Sequence, residues 1–101
     1  EAPLLIHSPP KNPKQFYERL ISELGKLFSA GLVHADISEY NILNDQEKPV
    51  LIDFSHALDL KYPHVQRLLQ RDVHNLVVYF TKLGLELDEE KEFMRIWKVK
   101  N

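Results

Sequence analysis

Residues 33–54 constrain this chain more than any other stretch. Val33-His34-Ala35-Asp36 leads through Ile37-Ser38-Glu39-Tyr40 to Asn41-Ile42-Leu43, and after a polar interval the chain reads Val50-Leu51-Ile52-Asp53-Phe54. The apolar runs Ile42–Leu43 and Val50–Ile52 flank the turn-rich Asn44-Asp45-Gln46-Glu47-Lys48-Pro49, which reads as a hairpin with a loose connection. A hairpin returns the chain to its starting point. Asn41 at the entry and Asp53 at the exit therefore become neighbours. Asp36 lies five positions before Asn41, so a loop brings it to the same cleft.

Two carboxylates and one amide so placed suit phosphoryl transfer from ATP. One carboxylate orients or deprotonates the attacking hydroxyl or water. An amide oxygen and a second carboxylate hold Mg²⁺, or Mn²⁺ in its place, against the phosphates. Taken singly the residues are ordinary: Asp36 and Asn41 could be turn-forming residues and Asp53 the cap of a strand. Their combination with apolar flanks and a turn is what points to a site.

The run His34-Ala35-Asp36-Ile37-Ser38-Glu39-Tyr40-Asn41-Ile42-Leu43 resembles the catalytic loop of the RIO family of atypical protein kinases, particularly its archaeal-type branch. Ile52-Asp53-Phe54-Ser55-His56-Ala57 and Leu69-Gln70-Arg71-Asp72-Val73-His74-Asn75-Leu76 are similar to that family too, and the likeness runs from about Phe16 to Gly84. Aminoglycoside and choline kinases usually have a His-Gly-Asp start and other residues before the Asn. The resemblance implies that Asp36 is the catalytic carboxylate and that Asn41 and Asp53 are the Mg²⁺ ligands. It also makes Asp53 a candidate for a phospho-aspartate intermediate, a chemistry open to carboxylate nucleophiles. Ser38 is implied as a nucleotide-side contact and Asp72 as a brace for the loop from a following helix. His34 is expected to pack or hydrogen-bond so as to hold the Asp36 backbone.

Departures from an ordinary protein kinase narrow the reading. Ala35 stands where Arg is common, which removes the usual partner of an activation-loop phosphate. Ser55 replaces the Gly of Asp-Phe-Gly, and Asp53 to Asp72 spans only nineteen positions, too few for a long activation segment and a peptide platform. ATP hydrolysis or self-phosphorylation is favoured over broad kinase activity. The chain also has no Gly-rich loop and no Val-Ala-Ile-Lys-like strand. It therefore reads as a kinase-like C-terminal lobe without its N-terminal lobe, and the isolated chain is expected to bind ATP poorly. The family implies a hinge near Leu4 to Ile6, against the plainer reading of a short edge strand or loose tail.

The 101 residues are enough for one domain. It divides into a hinge and linker (1–13), a helix (14–31), the loop and metal-binding hairpin (32–55) and further helices (62–98). A 44% hydrophobic and 28% charged composition is ordinary for a globular protein, and a net charge of −2 argues against a strongly basic nucleic-acid domain. The chain has no Cys, and no apolar run approaches membrane-spanning length, which fits a cytoplasmic setting. Its histidines lack the spacing of a helical zinc site.

Asn12-Pro13 is a helix opening, and Phe16, Leu20, Leu24, Leu27 and Phe28 recur at helical spacing up to a stop at Gly31. This helix is expected to run under the catalytic loop. A second helical stretch starts at Pro63. Arg71-Asp72 reads as a break or cap, so Asp72 has two candidate roles, N-cap and loop brace. A last helix opens at Asp88. The fold class is mainly α with one small β-hairpin (α+β).

Three functions compete. The first is the C-lobe of a RIO-type serine/threonine kinase or ATPase, whose family role would be maturation of the small ribosomal subunit with a pre-ribosomal particle as partner. The second is a small-molecule phosphotransferase of the aminoglycoside or choline kinase type. The third is a non-catalytic kinase-like scaffold.

Overall fold

The computed structural model describes residues 2–98. Helix α1 (Pro13–Ser29) opens as its sequence dictates: the Asn12 side chain accepts from the Gln15 N–H, and Pro13 occupies the first turn, where a missing N–H costs nothing. It closes at Ala30, and Gly31 leaves it with φ 96°, a left-handed turn that glycine adopts without a Cβ penalty.

Strands β1 (Leu32–Val33), β2 (Ile42–Asp45), β3 (Lys48–Leu51) and β4 (Leu58–Asp59) form two separate antiparallel pairs, β1 with β4 and β2 with β3. The β1–β4 pair was not expected. The hairpin is also tighter than expected. Asp45 pairs with Lys48, and the turn is only Gln46-Glu47, both with positive φ (51° and 72°), the backbone shape that fits the twist of a two-residue hairpin. Asn44, expected in the loop, pairs with Pro49 in the ladder, is buried, and donates to the Ser8 carbonyl.

Helix α2 (Val65–Lys82) runs unbroken through Arg71-Asp72, correcting the expected cap at that position. The helix begins instead after His64, which has a left-handed backbone and makes no side-chain cap. Asp88 accepts from the Glu90 and Lys91 N–H groups and opens α3 (Glu89–Trp97), as expected.

The core gathers Phe16, Tyr17, Leu20, Leu24 and Phe28 of α1 with Leu69, Val73, Leu76 and Phe80 of α2, and the Tyr17 and Phe80 rings meet edge-on at 5.1 Å. Each such side chain contributes about 1.5–3 kcal/mol when fully buried. Phe93, Ile96 and Trp97 seat α3 against α1, and Trp97 packs on Phe28 at 5.6 Å. Leu4 bridges to Leu43, so the first residues lie along the hairpin edge.

Candidate active site

The loop after β1 is held by α2, where α1 had been expected beneath it. Residues 71, 72 and 75 share one face of α2, and all three reach the loop backbone. The Asp72 carboxylate accepts from the Ala35 N–H (2.9 Å) and the Ile37 N–H (3.0 Å). Arg71 donates to the Ala35 carbonyl (2.8 Å), and Asn75 donates to the Ile37 carbonyl (3.0 Å). These bonds fix Ala35 with φ 69°, a left-handed conformation that an L-residue adopts only where its surroundings enforce it. Burial raises the Asp72 carboxyl above its usual range, while the two amide donors, His34 and Arg71 pull the other way. Arg71 and Asn75 carried no signal of this role in the sequence.

His34 is buried, and its ring ties Asp36 to the exit of the hairpin. Its Nδ1 accepts from the Asp36 N–H (3.2 Å), and its Nε2 donates to the Ile52 carbonyl (2.8 Å). This pair of bonds assigns the ring proton to Nε2. Asn41 makes the second tie. Its Nδ2 donates to the Asp36 carbonyl (2.7 Å) and lies 3.3 Å from Asp36 Oδ2, while its backbone carbonyl accepts from the Ile52 N–H (3.1 Å). With Nδ2 so occupied, Oδ1 of Asn41 is the atom left to coordinate a cation. Ser38 Oγ accepts from the Tyr40 N–H (3.2 Å) and so shapes the loop; it makes no hydrogen bond to Asp36, Asn41 or Asp53.

Asp53 follows Ile52 in a left-handed conformation (φ 59°) with its carboxylate exposed. Oδ1 accepts from Ser55 Oγ (2.7 Å) and more weakly from the Ser55 N–H (3.4 Å), and the Ser55 hydroxyl is the main reason the carboxyl sits below the usual range. His56, expected to be a plain surface residue, is two-thirds exposed but places Nδ1 3.6 Å from Asp36 Oδ2. The Phe54 ring, 45% exposed, leans on His34 at 4.9 Å.

Asn41 Oδ1 and the Asp53 carboxylate are hard oxygen donors and fit Mg²⁺, which binds through one or two protein oxygens plus phosphates and water rather than in an all-protein cage. Among the described residues there is no group of three His, Cys, Asp or Glu placed to hold a metal ion. The carboxylates lie on an open face. A separate groove between α2 and α3 is lined by residues that include Gln66, Gln70, Asp88, Phe93 and Met94, and by neither carboxylate.

A kinase-like α+β fold with this loop and hairpin defines the class. A family model described as the RIO domain matches residues 1–93, and the chain belongs to that family. It is 35% identical over 78 residues to the RIO-type serine/threonine-protein kinase Rio1 of Haloferax volcanii, covering 77% of this chain and 27% of that protein. It is 31% identical over 94 residues to the serine/threonine-protein kinase RIO1 of Saccharomyces cerevisiae, covering 89% of this chain and 19% of that one. The chain thus spans a fifth to a quarter of the length of these relatives. The fold is similar to that of the Rio2 kinase of Chaetomium thermophilum, solved as an ADP/Mg²⁺-phosphoaspartate complex, with a TM-score of 0.72 at 23% identity, over 97% of this chain and 34% of that one. No helix among the described residues is long and apolar enough to cross a membrane.

Proposed function

We propose that this chain is the C-terminal lobe of a RIO-type serine/threonine kinase or ATPase, of the archaeal-type branch, that transfers or hydrolyses the γ-phosphoryl group of Mg-ATP. The observation that carries the reading is Asn41. Its side chain holds Asp36 while its backbone carbonyl holds the N–H of Ile52, the residue before Asp53. These bonds tie the Asp36 loop to the strand that ends just before Asp53, which supports a site shared by Asp36, Asn41 and Asp53.

In this reading Asp36 orients the attacking group and receives its proton. Asp53 is the nucleophile in the self-phosphorylating route. One of its oxygens bonds to the γ-phosphorus as the bond to the β-phosphate oxygen breaks, and ADP departs. Mg²⁺, held by Asn41 Oδ1 and Asp53, would neutralise charge developing on the phosphates. An N-terminal lobe would cover the adenine and the apolar side chains exposed near the site, Tyr40, Val50 and Phe54. The family role extends the proposal to maturation of the small ribosomal subunit in the cytoplasm, with a pre-ribosomal particle as partner.

Phosphate release from Mg-ATP by the protein carrying its N-terminal lobe, compared with its Asp53→Asn variant, tests the site. Turnover lost in the variant supports it. Equal release by the two, or none by either, overturns it.

A further inference from the structure

We propose that Ser55 is a positioning residue that reserves one oxygen of Asp53 and hastens loss of phosphate from the other. The inference rests on the phospho-aspartate reading above. Ser55 stands where ordinary kinases have glycine, so its hydroxyl is an added group beside the nucleophile. It has one proton, and it gives that proton to Asp53 Oδ1 at 2.7 Å. Its lone pair faces His56 Nδ1 at 3.4 Å, and the same nitrogen lies 3.6 Å from Asp36 Oδ2. A polar chain from Asp53 through Ser55 and His56 to Asp36 therefore spans the two carboxylates. With Oδ1 engaged, Oδ2 is the oxygen free to attack.

The same hydrogen bond changes strength along the reaction. On the carboxylate, Oδ1 shares a full negative charge and is a strong acceptor. In the acyl phosphate, Oδ1 is a neutral carbonyl and a weaker one. When water attacks phosphorus and the P–Oδ2 bond breaks, the electron pair returns to the carboxylate, the water's protons leave with inorganic phosphate, and the Ser55 bond regains its strength. Ser55 thus favours the products of dephosphorylation. The arrangement makes the phospho-enzyme short-lived and directs it to release phosphate rather than store it.

The test uses the protein with its N-terminal lobe, ATP labelled in the γ-phosphate, and hydroxylamine, which cleaves acyl phosphates. The Ser55→Ala phospho-enzyme should decay about threefold to tenfold more slowly than the parent and accumulate further at steady state, the size expected for losing one charge-assisted hydrogen bond at an exposed site. Ser55→Thr, which keeps the hydroxyl, should decay like the parent. A Ser55→Ala lifetime equal to or shorter than the parent's overturns the inference while leaving the phospho-aspartate reading intact. Absence of hydroxylamine-labile phosphate from the parent overturns both.

Discussion

The Asp72 carboxylate, fully buried in the middle of α2, spans Ala35 and Ile37 and leaves Asp36 between its two points of grip. Both oxygens accept, so an amide cannot replace the group. In Asp72→Asn one N–H would meet an NH₂ and lose its partner. The expected cost is about 1–3 kcal/mol, the penalty for one buried donor left unpaired. The urea midpoint of the purified chain measures it.

Asp53→Asn should leave the fold intact. The side chain is exposed, and Asn tolerates the left-handed backbone at φ 59° as well as Asp does. Thermal unfolding should be within a degree or two of the parent, by the usual standard for surface changes. A marked loss of melting temperature would mean that Asp53 is a structural residue.

Ala35 combines a positive φ with a buried methyl group. Ala35→Gly relieves backbone strain of about 1 kcal/mol. It also gives up a buried methyl worth about 0.8 kcal/mol and gains unfolded-state freedom. These offset, so little net change is expected. A β-branched residue has no such compensation, and Ala35→Val should destabilise by more than about 2 kcal/mol. Denaturant titration of both variants separates the cases.

Glu47 projects from the hairpin turn and accepts from the Lys11 and Asn12 N–H groups, while its own carbonyl takes Arg19. The amide donors at Asn12 and Lys11 hold its carboxyl below the usual glutamate range. Because the folded value is depressed, its contribution is present above the unfolded value and is lost as pH falls through the folded one. The parent should therefore exceed Glu47→Gln in stability at pH 6, and the gap should close below about pH 4. A gap that does not change with pH would rule out this clamp.

The chain by itself should bind Mg-ATP too weakly to saturate at millimolar nucleotide in calorimetry. Joining the N-terminal lobe should restore binding. Stoichiometric micromolar binding by residues 1–101 alone would contradict the need for that lobe.

Features encoded locally were legible in the sequence. Asn12-Pro13 and Asp88 announce their helices because a cap needs only its next few neighbours. Asp36, Asn41 and Asp53 stood out because their spacing implies a loop and a hairpin. What escaped depends on distant partners. Strands of two residues, Leu32–Val33 and Leu58–Asp59, are too short to show a period of two. For Asp72 the sequence left cap and loop brace both open, and only the loop amides across the core decide for the brace. Arg71, Asn75 and His56 look like solvated polar residues until the loop is placed beside them.

The ties at Asn41 and His34 join Asp36 to Ile52 within a span of nineteen residues (34 to 52), and none of them involves a chain segment outside it. The loop is therefore tied to the hairpin from within this span, while Asp72, Arg71 and Asn75 of α2 grip it from the other side. In the proposed reading, a lobe over this face would therefore govern access to the loop and hairpin, much as a lid governs access to a tool already set.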